Sequence, residues 1–204
     1  MTIEVVYVSD KNYMPYVEIS AHTLLKVNPD AHITVVSPEP VTTIFDNVVI
    51  PLKQTYRQRR AHDRITQTTY LKLFLTELPF EKIIFIDPDT LIQKPLNELW
   101  NTEVEYIGLC ESHDVGKEQA ADLGIERYAN TGMMLMNLPA LRKINFTQKC
   151  LKAKAEPKLW CHEETLLNVA MQGKITYLPE KWNYCFNREI SRSEERRVGK
   201  ECRS

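Results

Sequence analysis

The chain has 204 residues, 43% of them hydrophobic, with 26 basic against 27 acidic side chains and a formal net charge of −1. That composition supplies one sizeable core and excludes a disordered chain, while the near-neutral charge excludes a general pull toward nucleic acid or an anionic membrane surface. No run approaches the ~18 apolar residues that span a bilayer, and the five cysteines show neither CxxC pairing nor disulfide-like spacing.

The opening "MTIEVVYVSD" lacks the basic-then-apolar order of a signal peptide. With no transmembrane segment, this predicts a cytoplasmic protein, free or peripheral to a membrane. Ile3 to Ser9 is a nearly continuous β-branched run, the pattern of a strand buried on both faces. Asp10 to Asn12 breaks it, and the next stretch places Tyr16, Ile19, Leu24 and Val27 at close to helical spacing before Asn28-Pro29 ends the helix. "HITVVSP" reads as a second strand, so the first 38 residues make a βαβ unit with a right-handed crossover. "VVIPL" predicts a third strand. The basic cluster "RQRR", Arg57 to Arg60, reads as a solvated loop or a contact for an anionic ligand.

"TQTTYLKLFLTELPF" carries Tyr70, Leu73, Phe74 and Leu78 on one helical face and stops at Pro79. "KIIFID" is the most apolar strand of the chain, "YIGLCE" and "GMMLMNL" are two more, and "EETLLNVAMQ" is a helix closed by Gly173 before a last strand, "KITYLP". Alternating β and α elements argue for an α/β sandwich with a mostly parallel central sheet.

In such sheets ligands bind beyond the carboxyl ends of the strands. Three polar clusters fall at strand ends: "SDKNY", "DPD" and "YANTG". In "DPD", alternate residues point the same way and Pro88 fixes the backbone between them, so Asp87 and Asp89 are held on one side of the chain. Two hard oxygen ligands so placed suit Mg²⁺ or Mn²⁺, which fill their coordination with phosphate oxygens and water. The competing reading is a turn in which one aspartate caps the next segment and the other is solvated.

Residues 70–100, "YLKLFLTELPFEKIIFIDPDTLIQKPLNELW", resemble the metal-binding DxD region of family 8 glycosyltransferases, the retaining enzymes that include glycogenin and the lipopolysaccharide galactosyl- and glucosyltransferases. "VYVSDKNYMPYVEISAHTLL", "YANTGMMLMNL" and "EETLLNVAMQGKITYLPEKWNY" resemble the same family in the same order, so the likeness spans nearly all of residues 3–187. The resemblance implies a GT-A type nucleotide-sugar-binding fold and a Mn²⁺ or Mg²⁺ ion on Asp87 and Asp89. It also implies a UDP-sugar donor and a glycan or lipopolysaccharide-type acceptor. Val8, Asp10, Asn12 and Tyr13 fall where the family contacts the nucleoside, although Asp10 and Asn12 also read as an Asx turn before the helix. Lys72 falls near the diphosphate, where the galactosyltransferase branch usually has arginine; lysine keeps the charge and loses the fork. Asn130 and Gly132 fall at the donor-sugar position.

Where family members carry Asp-Gln, this chain has Glu163 and Glu164. The resemblance implies that Glu163 bonds sugar hydroxyls and that Glu164 lies beside the anomeric carbon as nucleophile or electrostatic support, roles a carboxylate suits. Both glutamates also suit the first turn of a helix through its dipole. The family's C-terminal His-x-x-Gly-x-x-Lys-Pro-Trp segment, which supplies a further metal ligand and a diphosphate lysine, has no counterpart here. The last thirteen residues, "RSEERRVGKECRS", resemble the conceptual translation of a sequencing adapter. The expectation is therefore a domain over residues 1–191, incomplete at its C-terminus, a foreign tail at 192–204, and weak donor binding with little turnover.

Two other functions compete. A nucleotidyltransferase wants a Gly-rich basic loop after the first strand, and "SDKNYMP" offers none. A nucleotide-sugar-binding or self-glycosylating primer protein would bind UDP and Mn²⁺ without ordinary turnover.

Overall fold

A computed structural model describes residues 2–52, 67–112, 114–153 and 163–184. The Arg57–Arg60 cluster, His62, His113, His162 and the tail 192–204 lie outside the described residues. In chain order the elements are β1 (Glu4–Val8), α1 (Met14–Val27), β2 (His32–Ser37), β3 (Asp46–Val49), a 3-10 helix (Gln67–Glu77), β4 (Lys82–Ile86), α2 (Asn97–Trp100) and β5 (Ile107–Glu111). They continue with α3 (Asp114–Leu123), β6 (Ala129–Asn137), α4 (Leu138–Lys143), α5 (Phe146–Ala153), α6 (Glu163–Ala170), β7 (Ile175–Leu178) and a 3-10 turn (Glu180–Trp182).

The strands form one seven-stranded sheet in the order β3-β2-β1-β4-β6-β5-β7. Every neighbouring pair is parallel except those of β6, which runs antiparallel to both β4 and β5. Because side chains alternate across a strand, the apolar runs of β1, β4 and β6 feed two cores at once. Val6, Val8, Ile83, Phe85, Met134 and Met136 face one layer; Val5, Tyr7, Ile84, Ile86, Met133 and Leu135 face the other. Ile83, Ile84, Phe85 and Ile86 are each fully buried, worth roughly 1.5–3 kcal/mol apiece in transfer free energy. Helix α1 covers the second layer, whereas the 3-10 helix, α4, α5 and α6 cover the first.

Several expected elements differ in detail. In α1 the buried stripe is Met14, Val17, Ser20, Ala21 and Leu24, while Tyr16 and Ile19 are 52% and 57% exposed. Leu24 belongs to the expected set and is buried, whereas Tyr16 and Ile19 fall on the part of the helix that its contact with the sheet leaves to solvent. The segment Gln67–Glu77 is a 3-10 helix, and it is buried on more than one side: Tyr70, Leu71, Lys72, Leu73 and Leu75 are all inside, whereas Phe74 is only partly covered. It lies between the sheet and helices α4, α5 and α6, which meet it from different directions. Strand β3 starts two residues before the expected "VVIPL", because Asp46 to Val49 pair with Thr34 to Ser37; Ile50 still donates its N–H to Ser37. Gly173 has φ +70°, as a helix-terminating glycine requires.

No helix of the described residues is long and apolar enough to cross a membrane. The two described cysteines, Cys110 and Cys150, are both buried.

Candidate active site

The sheet order brings the functional segments together. Strands β1 and β4 are parallel neighbours, so Ser9-Asp10 and Asp87 leave the sheet at the same edge. Strand β6 runs the other way, with Met133 opposite Ile86, and so delivers its first residues to that edge. The register between β5 and β6 slips between Leu109, paired with Met134, and Cys110, paired with Asn130. This bulge frees Thr131 and Gly132 from the β5 ladder, and the Asp87 N–H bonds the Gly132 carbonyl at 2.7 Å.

A cavity of about 340 Å³ opens here. Its lining includes Val8, Asp10, Tyr13, Lys72, Asp87, Asp89, Glu163 and Glu164, eight of the residues expected from sequence. Asn12, Asn130 and Gly132 are not in the lining. Asn12 is exposed and its N–H serves the Asp10 turn. Asn130 and Gly132 stand beside Asp87: a Cβ built on Gly132 would lie 2.9 Å from Asn130 Oδ1 and 3.4 Å from Asp87 Oδ2.

Both readings of Asp10 meet in one residue. Its Oδ1 accepts from the N–H groups of Asn12 (2.9 Å) and Tyr13 (3.3 Å), an Asx turn at the entry to α1, while Oδ2 accepts from Thr68 Oγ1 at 3.0 Å and the carboxylate still faces the cavity. Lys72 is buried, with Nζ 2.9 Å from Asp87 Oδ1, 3.1 Å from Asp87 Oδ2 and 3.3 Å from Glu163 Oε1. Burial alone would lower the Lys72 ammonium, but Asp87 and then Glu163 hold it above its usual value. Burial raises the Asp87 carboxyl above the ordinary carboxylate range, and Lys72 only partly offsets it. Glu164 is raised by burial in the same way, opposed by its hydrogen bonds from the Thr131 N–H (3.0 Å) and hydroxyl (3.2 Å). Both glutamates open α6, where its dipole also favours negative charge.

Among the described residues, five carboxylates (Asp10, Asp87, Asp89, Glu163, Glu164) and a single ammonium, Lys72, line the cavity. Such an excess of negative charge repels an anionic ligand unless a cation enters with it. Asp89 is exposed and has no hydrogen-bond or ionic partner among the described residues. No group of three or more His, Cys, Asp or Glu among the described residues forms a self-sufficient metal cage. The donor set therefore fits a hard divalent cation that takes one or two carboxylates and completes its shell from phosphate oxygens and water.

Sequence reasoning missed several neighbours. Gln119 on α3 and Tyr128 line the cavity, and the buried Tyr128 hydroxyl lies 3.0 Å from Thr165 Oγ1. Buried Asn168 ties α6 to the start of β6 by accepting from the Ala129 N–H (2.7 Å) and donating to its carbonyl (2.8 Å). A lone amide amid the apolar residues of "LLNVAM" is the sequence signal for such a role. Asn183, after the Glu180–Trp182 turn, reaches Asn130 at 2.6 Å.

The family profile described as Glycosyl transferase family 8 matches residues 4–202. The chain belongs to glycosyl transferase family 8. The match reaches into the charged tail that the sequence reading sets apart. A Haemophilus influenzae protein named as a glycosyltransferase is 26% identical over 209 residues, 90% of this chain and 63% of the relative. General stress protein A of Bacillus subtilis is 23% identical over 63% of this chain and 49% of its own length. This family 8 chain thus spans less than two thirds of either curated relative. Among solved structures, the galactosyltransferase LgtC in complex with donor and acceptor sugar analogues superposes with a TM-score of 0.78 at 18% identity, over 95% of this chain and 82% of LgtC. The glycosyltransferase GlyE of Streptococcus pneumoniae superposes at 0.67 with 14% identity, over 98% of this chain and 50% of GlyE. The fold of this family 8 chain is accordingly the GT-A type sandwich expected from sequence.

Proposed function

We propose that the chain transfers a hexose from a UDP-sugar to an acceptor hydroxyl, with retention of anomeric configuration and dependence on Mn²⁺ or Mg²⁺. The observation that carries this reading is the acidic cavity at the carboxyl ends of β1 and β4, five carboxylates against one ammonium among the described residues, in a family 8 chain. Asp87 and Asp89 would hold the divalent ion, which when bound neutralises the donor diphosphate and the charge that develops as UDP departs.

The remaining roles belong to the chain's own groups. Val8, Asp10, Asn12 and Tyr13 take the nucleoside, with the Tyr13 ring stacking on the base. Lys72 bridges Asp87 and Glu163 and so ties the diphosphate side of the cavity to the sugar side. Asn130, Gly132 and Glu163 hold the donor sugar. Glu164 places negative charge beside the reacting carbon while the Thr131 N–H and hydroxyl fix one of its oxygens. The acceptor hydroxyl, from a glycan or a lipopolysaccharide-type sugar, attacks on the face that UDP vacates. The reading draws on residues within 1–191 and gives the tail 192–204 no part in the site; with no counterpart of the family's further metal ligand and diphosphate lysine, it expects weak donor binding and little turnover from this chain.

The test is UDP release from a panel of UDP-hexoses with and without Mn²⁺, beside the Asp89→Asn variant. Metal-dependent release that Asp89→Asn abolishes supports the proposal. Tight UDP and Mn²⁺ binding without release of sugar from any donor points instead to a binding or primer protein.

A further inference from the structure

Asn130 is held in one orientation by two donors. Its Oδ1 accepts from the Gly132 N–H at 2.8 Å and from Asn183 Nδ2 at 2.6 Å. A side-chain amide carries one acceptor oxygen with two lone pairs and one NH₂ with two hydrogens. A backbone N–H can only donate, so the Gly132 bond forces the oxygen of Asn130 to point there. Asn183 must then present its own NH₂, and both lone pairs of Asn130 are used. What Asn130 has left is its NH₂, for which no acceptor exists among the described residues.

Asn183 is itself firmly placed. Its N–H bonds the Glu180 carbonyl at 3.0 Å, the preceding Trp182 packs on the second core layer, and Cys110 Sγ donates to the Pro179 carbonyl at 3.3 Å. The 3-10 turn that bears Asn183 is thereby anchored on β5. A Cβ on Gly132 would lie 3.4 Å from both Asn183 Nδ2 and Asp87 Oδ2, so the clamp closes directly beside the carboxylate proposed to hold the metal.

We infer that Asn183 is a positioning residue: by locking the Asn130 oxygen it makes Asn130 a pure hydrogen-bond donor, so that the site reads an acceptor oxygen of the donor sugar. This rests on the proposed placement of the sugar at Asn130. It predicts an unusual order of effects. Asn183→Ala removes one donor and leaves Gly132 to hold the amide. Asn183→Asp is the closer match in shape, yet it sets a carboxylate against the Asn130 oxygen. Flipping Asn130 would only turn its NH₂ onto the Gly132 N–H. Asn130→Asp, in contrast, keeps both bonds and loses the NH₂.

The experiment is calorimetric titration of the full chain with UDP and separately with UDP-glucose and UDP-galactose, in Mn²⁺, for wild type and the three variants. The expected result is that Asn183→Ala weakens binding of the preferred UDP-hexose about fivefold and Asn183→Asp more than tenfold, with UDP affinity changed less than about twofold in both. Asn130→Asp should match or exceed the loss of Asn183→Asp while UDP again holds. Equal losses for UDP and UDP-hexose, or Asn183→Asp no worse than Asn183→Ala, overturns the inference, while UDP-hexose binding by the wild-type chain leaves the proposed function standing. If the wild-type chain binds neither UDP nor UDP-hexose, the proposed function itself falls, and the inference with it. Should either Asn183 variant fail to fold, Asn130→Asp still decides: unchanged UDP-hexose affinity there overturns the inference.

Discussion

Lys72 concentrates the chemistry of the cavity in one side chain. The residue is 5% exposed, and among the described residues its ammonium is the only positive charge in the lining; it contacts two carboxylates directly. Removing it leaves buried negative charge unpaired, so Lys72→Met is expected to lower the unfolding free energy by about 3–5 kcal/mol, read by urea denaturation of the ligand-free chain. Asp89 behaves in the opposite way. It is exposed and without a partner among the described residues, so Asp89→Asn should change ligand-free stability by less than about 0.5 kcal/mol. The same variant should lose Mn²⁺ binding followed by electron paramagnetic resonance. The contrast separates an ammonium built into the fold from a carboxylate kept available to a ligand.

Polar side chains also decide how whole elements sit. On α1, Ser20 Oγ donates to the Thr90 carbonyl (2.6 Å), Thr23 Oγ1 accepts from the Ile92 N–H (2.9 Å) and Asn28 Oδ1 from the Leu96 N–H (2.8 Å). These side chains pin the segment that follows "DPD" along the helix. Ser20→Ala also strips the buried Tyr7 hydroxyl of its partner, and is expected to cost about 1–3 kcal/mol and to speed amide exchange at Ile92. At the far edge of the sheet, His32 on β2 bridges Glu4 on β1 (2.5 Å) and Asp46 on β3 (2.9 Å). The Glu4 hydrogen bond is the main cause that raises the His32 pKa above its ordinary value. A raised folded pKa means that the stabilising contribution is complete below about pH 6.5 and is lost as pH rises through the folded value. The stability difference between wild type and His32→Gln should therefore be largest near pH 6 and shrink toward pH 9. Because the imidazole is 38% exposed, added salt should diminish it further.

For the molecule as a whole, the proposed function has the acidic cavity make nucleotide and metal binding interdependent. On that reading UDP alone would meet the five carboxylates of the described lining, whereas UDP with Mn²⁺ would enter with most of its charge neutralised. Thermal unfolding is expected to show a larger shift for the pair than for the two added separately, with saturating ligand at a hundred times Kd stabilising by about 2.7 kcal/mol. Chelation should reverse it. Strictly additive shifts would contradict the coupling.

Much of this architecture was legible in local pattern. Strands buried on both faces, such as "KIIFI" of β4, cannot hide their continuous apolar runs, and the two aspartates that flank Pro88 at a strand end both line the cavity. Helix α1 was legible as a helix but only in part in its facing, because Tyr16 and Ile19 satisfy helical spacing as well as Met14 and Val17 do. The Lys72 position emerged only through family resemblance, since a lysine in an apolar helix reads equally as a solvated charge. Asn168 and Asn183 were not assigned at all. Their partners lie 39 and 53 residues away, and nothing in the local sequence tells a polar side chain which distant backbone it will satisfy. That choice belongs to the antiparallel course of β6 and its bulge, which carry Asn130 and Gly132 back beside Asp87. Local pattern thus determined the strands and the aspartate pair, because periodicity and burial act over a few residues. Tertiary structure decided which amides orient the site, because hydrogen bonds are satisfied in space.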